Sequence, residues 1–362
     1  MTAEQDRADG STERTAGALR RTDEALTRRG FTTRRLRLRA AAVIVAITAA
    51  ASGVLLYELT NALGPDTVCG GAATADEVHT ALGPGRISEE KSGGWSPGAY
   101  DRTAACRVTV SYGLFGPTGR SAALALALPQ DEVTPPTAPE ARLFAGGSTG
   151  AVLDSRAWAL LPDGCPKAMR AEVRLLGSDD TVGGRAAGMA ALAVAFANTA
   201  AESKGCGGGL PAPSGLSAAA TPQPADLGNV CGLPGMAPAR DPQAGEGYRQ
   251  TVTAGFAPVW SCAISSPSGL NTQASFTITT DPRVSALDPQ DARTEAYGRA
   301  RWIGSSGENV VATCQGKSTY FHLDRKYSPG VAGSGLFPDT ADLWRQFLVA
   351  GGKAVGCEPI IP

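Results

Sequence analysis

Eight cysteines, at positions 69, 106, 165, 206, 231, 262, 314 and 357, all lie C-terminal to one eighteen-residue stretch that carries no charge, residues 40–57. An even number of cysteines confined to one side of an apolar segment belongs to an oxidising compartment, where thiols pair as disulfides. A metal site is not indicated, because no Cys-x-x-Cys or paired Cys/His spacing occurs.

The cysteine order repeats. Successive gaps are 37, 59 and 41 residues in the first half and 31, 52 and 43 in the second. Asp66-Thr67-Val68-Cys69-Gly70 echoes Gly228-Asn229-Val230-Cys231-Gly232. Cys106-Arg107-Val108-Thr109-Val110 parallels Cys262-Ala263-Ile264-Ser265-Ser266, and Arg142-Leu143-Phe144-Ala145-Gly146 parallels Arg301-Trp302-Ile303-Gly304. The chain therefore reads as two copies of one domain, residues 66–208 and 228–362. The Gly/Pro/Ser/Ala-rich residues 209–227 between them read as a flexible or semi-extended linker. Residues 134–139 read as a loop inside the first copy. Four cysteines allow three pairings per copy. The favoured set is first-with-second and third-with-fourth: Cys69–Cys106, Cys165–Cys206, Cys231–Cys262 and Cys314–Cys357.

The apolar segment is just long enough to span a bilayer as a helix. Arg34, Arg35, Arg37 and Arg39 precede it and Glu58 comes after it. Residues 1–39 hold ten Arg, no Lys and six acids. By the positive-inside rule the expectation is a cytoplasmic Arg-rich tail (1–39), a transmembrane signal anchor (40–60) and two extracytoplasmic copies. Cleavage after Ala49-Ala50-Ala51 would interrupt the apolar run, so a retained anchor is favoured over a signal peptide. Thr27-Arg28-Arg29-Gly30-Phe31 resembles the start of a twin-arginine export signal, although an ordinary basic flank accounts for it.

Within the first copy, Thr74 and Glu77 form a capping box ahead of a short helix over 74–83, which Gly83 and Pro84 stop. Strands are expected at 106–112, 122–128, 157–161 and 170–176, then a long helix over 183–204 with Met189, Leu192, Ala193 and Phe196 on one face. Residues 339–356 repeat that closing helix. The expected fold class is α+β: two tandem copies of a small antiparallel-sheet domain, each with a short first helix and a long closing helix, after one transmembrane helix. This layout, with two cysteine pairs per unit, loosely resembles exported, membrane-anchored actinobacterial envelope proteins with tandem disulfide-braced α+β domains. The resemblance implies a fold and a location and supplies no active site.

Gly146-Gly147-Ser148-Thr149-Gly150 satisfies G-x-S-x-G, the nucleophile elbow of serine hydrolases. That chemistry requires a helix after the turn and a histidine base downstream. Residues 151–155, directly after the turn, read instead as strand or loop, and the chain holds only His79 and His322. His79 precedes the serine and His322 lies in the other copy. Gly304-Ser305-Ser306-Gly307 occupies the equivalent place there, so the segment reads as a repeated turn. His322 sits on an alternating strand with Asp324 on the same face, and His79 on the short helix. Glu89-Glu90 and Asp179-Asp180 read as solvated carboxylates; calcium binding at Asp179-Asp180 lacks alternating oxygen ligands. Trp158, Trp302 and Trp344 are expected in the core. Trp95, within a Ser/Gly/Pro-rich loop, either covers a core edge or contacts a sugar or peptide.

No catalytic set, metal or cofactor is expected. Net charge is −1 and aromatic content 6%, which argues against nucleic acid. The expected partners are the membrane, through residues 40–60, and an envelope protein or cell-wall ligand. The functional expectation is a non-enzymatic binding or interaction module of the cell envelope. A sensory ectodomain, or a serine hydrolase using the Gly146–Gly150 turn, is the alternative.

Overall fold

The structure is a computed structural model. It describes residues 34–59, 61, 64–98, 104–112, 119–127, 141–145, 147–166, 169–177, 185–237, 247–255, 258–267, 272–284, 296–303, 308–325, 336–337 and 339–361. The readings of the Arg pair at 28–29, the loop at 134–139, Asp179-Asp180 and the turn at 304–307 lie outside these residues. The chain divides into two units, Met1–Ala62 and Leu63–Pro362.

In the first unit, helix α1 (Arg34–Leu59) carries Leu38, Val43, Ile44, Val45 and Ile47 exposed. The expected membrane-spanning helix is not found: among the described residues, no helix is long and apolar enough to cross a membrane.

The second unit opens with strands β1 (Thr67–Val68) and β2 (Ala73–Thr74), paired around a tight turn, and helix α2 (Ala75–Leu82). The capping box forms in full: Glu77 N–H donates to Thr74 Oγ1 (3.3 Å) and Thr74 N–H to Glu77 Oε2 (2.7 Å). Seven strands come next, β3 (Arg86–Ser92), β4 (Ala105–Ser111), β5 (Gly119–Ala127), β6 (Arg142–Phe144), β7 (Gly150–Leu153), β8 (Arg156–Leu160) and β9 (Arg170–Leu176). They make one antiparallel sheet in the order β3-β4-β5-β9-β8-β7-β6. Helix α3 (Ala186–Lys204) packs on it through Met189, Leu192, Ala193 and Phe196, which meet Val108, Leu124 and Val173 in a core of small side chains. Gly188 lets α3 approach α2, since a Cβ there would collide with the Thr80 carbonyl.

A second sheet is built from β10 (Gln223–Pro224), β11 (Arg249–Val252), β12 (Val259–Ser265), β13 (Thr272–Thr279), β14 (Ala296–Tyr297), β15 (Ala300–Trp302), β16 (Glu308–Cys314) and β17 (Lys317–Arg325). Its order is β10-β11-β12-β13-β17-β16-β15-β14. With β10 set aside, both sheets run first, second, third, seventh, sixth, fifth, fourth. Helix α4 (Thr340–Ala354), N-capped by Asp339, closes an aromatic core of Trp260, Phe276, Phe321, Trp344 and Phe347. Among the described residues, the second half has no counterpart of α2; its first cysteine, Cys231, sits within a three-residue turn, Val230–Gly232. The short first helix expected in each copy is thus seen only in the first.

Four disulfides brace the unit: Cys69–Cys106, Cys165–Cys206, Cys231–Cys262 and Cys314–Cys357. In each half, one ties the opening turn to the strand that carries Cys106 or Cys262, and the other ties the β8–β9 connection (Cys165) or the end of β16 (Cys314) to the residues just after the closing helix. The opening cysteines share an unusual backbone. Cys69 (φ 55) and Cys231 (φ 62) both lie in the left-handed region, and each donates its N–H to a side chain from the strand beside its partner cysteine's, Glu89 on β3 and Gln250 on β11. Glu89 lies opposite Val108 and Gln250 opposite Ile264, each two residues beyond the partner cysteine.

The segment between the halves is not a free linker. Asn198 holds Leu210 through both main-chain groups (2.7 and 3.0 Å), and Leu210 and Leu216 pack on the first core. Ser217 N–H donates to Leu143 O (2.8 Å), Leu143 N–H to Ser217 Oγ (2.8 Å), and Ser214 Oγ to Ala145 O (2.8 Å). The segment then enters the second sheet as β10. It is a strap laid along the edge of one sheet and joined to the other, because the open main-chain groups of β6 need partners.

Candidate functional site

Where the halves meet, three stretches of chain line a part-open pocket of about 100 Å3. The first half supplies Leu143, Phe144 and Ala145 from β6 and its exit, with Thr149 and Gly150 from the next turn. The strap supplies Ser217, and the β11–β12 connection supplies Ala254, Pro258 and Val259. Beside it a small apolar cluster joins Leu160 to Val259 and Val284, with Leu143 and Trp158 packed on it.

An ionic network fixes one wall. Arg283 binds Asp281 in fork geometry, Nε to Oδ1 at 3.0 Å and Nη2 to Oδ2 at 2.8 Å, and Nη2 also donates to Thr149 Oγ1 at 3.1 Å. Asp163 Oδ1 lies 3.3 Å from Arg283 Nε, but its side chain is mostly exposed and adds little. Burial alone would raise the Asp281 carboxyl. The Arg283 and Thr149 hydrogen bonds outweigh it and hold the group below its ordinary value. Burial likewise works against the Arg283 charge, and Asp281 prevails to raise its pKa. The opposite wall is held by Pro258, whose carbonyl accepts from Thr279 Oγ1 and Thr280 N–H, each at 2.9 Å.

This site has apolar walls, two engaged hydroxyls and no uncompensated charge. It can take an uncharged group, and its described lining residues hold no nucleophile–base pair. Ser148 is 1% exposed and its Oγ has no hydrogen-bond partner among the described residues. Strand β7 comes directly after it, not a helix. The glycines around it answer to packing: a Cβ on Gly150 would strike the Trp158 carbonyl and the Phe144 ring, and one on Gly147 (φ 108) would sit 2.7 Å from Pro211 of the strap.

The remaining residues singled out from sequence do not converge. His79 Nε2 lies 2.9 Å from Gly85 O. His322 Nδ1 lies 2.5 Å from Asn309 Oδ1 on the second sheet, while Asp324 on the same strand is exposed. Glu89 accepts from Cys69 N–H and pairs with Lys91 (3.0 Å); Glu90 faces Arg107 (3.6 Å). Cys69, Glu89 and Cys106 have metal-like proximity, but both sulfurs are spent in a disulfide and offer no thiolate. Trp95 covers a core edge: its Nε1 donates to Cys69 O (3.2 Å) and its ring lies 5.5 Å from Phe196. Trp344 is buried, with Trp302 stacked on it, whereas Trp158 belongs to the junction cluster.

Asp281, Arg283 and the β11–β12 connection were not singled out from the sequence. Arg283 lies 134 residues from the threonine it binds, a separation that no local sequence pattern marks. Comparison with protein-family models, curated proteins and solved structures finds no match to this chain.

Proposed function

We propose that the chain is a membrane-tethered, extracytoplasmic binding module of the cell envelope, without catalytic activity, whose ligand engages the junction between its halves. The observation that carries the tether is the environment of α1. Val43, Ile44 and Val45 are 56%, 60% and 67% exposed. Successive helical residues stand about 100° apart, so these three face different sides. A helix apolar all round requires an apolar surround, and the arginines before it suit an anionic inner leaflet. Four disulfides suit an oxidising outer compartment.

The shared strand order and the matched Cys69–Glu89 and Cys231–Gln250 contacts support descent of residues 66–208 and 228–362 from one duplicated unit. A preformed cavity with satisfied polar walls favours binding over chemistry.

Alkaline extraction of membranes, protease treatment of spheroplasts and thiol labelling under denaturing conditions test the tether. The expected result is retention in the membrane, cleavage from outside and no free thiol without reductant. Release by alkali or protection from external protease would sink the reading. Cross-linking on intact cells then tests the binding role: a partner captured by full-length protein is lost when residues 66–362 are deleted.

A further inference from the structure

We propose that the outer face of the first sheet is a docking surface for a linear phosphate-bearing polymer, gripped by Arg156, Arg174 and Arg107. This goes beyond the junction reading and does not depend on what fills that pocket. Along β8 and β9, Ala157, Ala159, Ala171 and Val173 face the α3 core. Arg156 and Arg174 therefore stand on the opposite side, and both are exposed. They lie directly across from each other. One position further along, Leu175 N–H donates to Ser155 O (2.7 Å). The arginines thus occupy a non-hydrogen-bonded pair, where Cα atoms stand only about 4.5 Å apart and side chains come closest. Like charges so placed repel, and no acid among the described residues offsets them. Glu172, beside Arg174 on β9, is taken by Arg170 at 2.7 Å. Asp154, in the β7–β8 turn, makes no ion pair with Arg156 among the described residues.

The row continues across β5 to β4. Arg174 lies opposite Ala123, and Ala123 opposite Arg107, so a low floor of half-buried alanine separates the pair from the third arginine. The three span about 14 Å across the strands, three strand spacings. Glu90 stands 3.6 Å from Arg107, but both side chains are largely exposed, and such a pair yields readily to another anion.

Charge and shape select the occupant. A guanidinium grips an oxyanion with two parallel N–H groups. A carboxylate holds its oxygens in one plane and suits one such fork, whereas a phosphate presents oxygens in several directions and serves two guanidiniums at once. Repeated phosphates reach Arg107 as well as the pair. A bilayer surface fits less well: outside α1, the exposed large apolar side chain among the described residues is Val349 on α4, so this face has none to enter the lipid interface. An extended peptide adds to a sheet edge, and β8 and β9 lie inside the sheet. A nucleic acid stacks its bases on open aromatic rings, and Trp158 on this face is packed into the junction cluster.

The test uses full-length protein in detergent and phenylglyoxal, which modifies guanidinium groups, with each site read by peptide mass spectrometry. The probes are inorganic polyphosphate, polyglutamate of matched charge, single-stranded oligothymidylate and phosphatidylglycerol vesicles. Polyphosphate is expected to slow modification of Arg156 and Arg174 at least about tenfold, and of Arg107 less, while exposed Arg301 of the second half is unaffected. Its affinity should fall about tenfold between about 50 and 200 mM salt, as two contacts to a strand of phosphates require. Arg174→Gln, whose unfolding midpoint should hold or rise as the like charges part, should lower the protection of Arg156 at least about fivefold. The proposal is overturned if polyphosphate leaves both arginines as reactive as before, if it protects Arg301 alike, or if Arg156 stays protected in folded Arg174→Gln. It is also overturned if polyglutamate, oligothymidylate or vesicles protect the pair as well as polyphosphate does, which would assign the face to a carboxylate polymer, a nucleic acid or a lipid surface. Alkaline extraction tests the tether alone, so either reading can fail without the other.

Discussion

Arg283→Ala should destabilise the protein far more than loss of a surface ion pair, and the effect should shrink in acid. The Asp281 side chain is 6% exposed and that of Arg283 16%. Removing the arginine strands a buried carboxylate whose remaining bonds are few, and breaking one member of a buried pair typically costs about 3–5 kcal/mol. Partial access of water to Arg283 places the expectation near the lower end, about 3 kcal/mol at pH 7. In the native protein the Asp281 carboxyl sits below its ordinary value. It therefore contributes stability above the unfolded pKa of about 3.9, lost as pH falls through the folded value. Without Arg283, burial is the leading influence and pushes that carboxyl up. The variant then loses most at neutral pH and least near pH 4, where protonation relieves the stranded charge. Urea unfolding at both pH values, read by circular dichroism and extrapolated linearly, measures this. A loss under about 1 kcal/mol at pH 7, or one that does not diminish toward pH 4, would refute the reasoning and class the network with exposed pairs. Arg283→Met combined with Asp281→Leu should recover much of the loss, because the penalty lies in the unpaired charge.

Replacing Cys165 and Cys206 together by Ala reopens a 41-residue loop and should cost about 4 kcal/mol, read as a lower urea midpoint. Glu89→Ala removes the acceptor for Cys69 N–H and should cost about 1–2 kcal/mol. Glu89→Gln should cost under about 1 kcal/mol, since Gln250 serves the same N–H in the second half. Hydrogen bonds from Cys69 and Lys91 overcome the burial that would raise Glu89 and hold its carboxyl low, so its contribution is present at neutral pH and lost as pH falls below its ordinary range; a Glu89→Ala cost that does not shrink in acid would contradict this. Ser148→Ala deletes a buried hydroxyl without a partner among the described residues and should leave the unfolding free energy unchanged or raised by up to about 1 kcal/mol; a clear loss of stability would show that the hydroxyl is engaged.

The features legible in the sequence were local or periodic. The cysteine spacing announced the disulfides, the Thr74–Glu77 pair set the start of α2, and the apolar spacing from Met189 to Phe196 marked the buried face of α3. Strand β3 was missed because Arg86–Ser92 is exposed at every position but Ile87 and carries no alternation. Strand β6 hid beside the glycines of 146–150, which read as a turn, while the residues of β7 read as either strand or loop. The strap was read as a linker from its Gly, Pro and Ser content. Main-chain bonds such as those between Ser217 and Leu143 leave no trace in side-chain composition. The junction was invisible for the same reason: Thr149, Ser217, Pro258 and Arg283 meet only after both sheets have formed and docked.

The bond pattern bears on how such a chain becomes oxidised. Each disulfide joins a cysteine to the next one along the chain, 31 to 43 residues apart. A thiol oxidase meeting the polypeptide in N-to-C order would reach Cys106 while Cys69 alone awaited a mate, and would find the same situation at Cys206, Cys262 and Cys357. Vectorial oxidation alone would then yield the native set, with no mispaired intermediate to be reshuffled and no need for an isomerase.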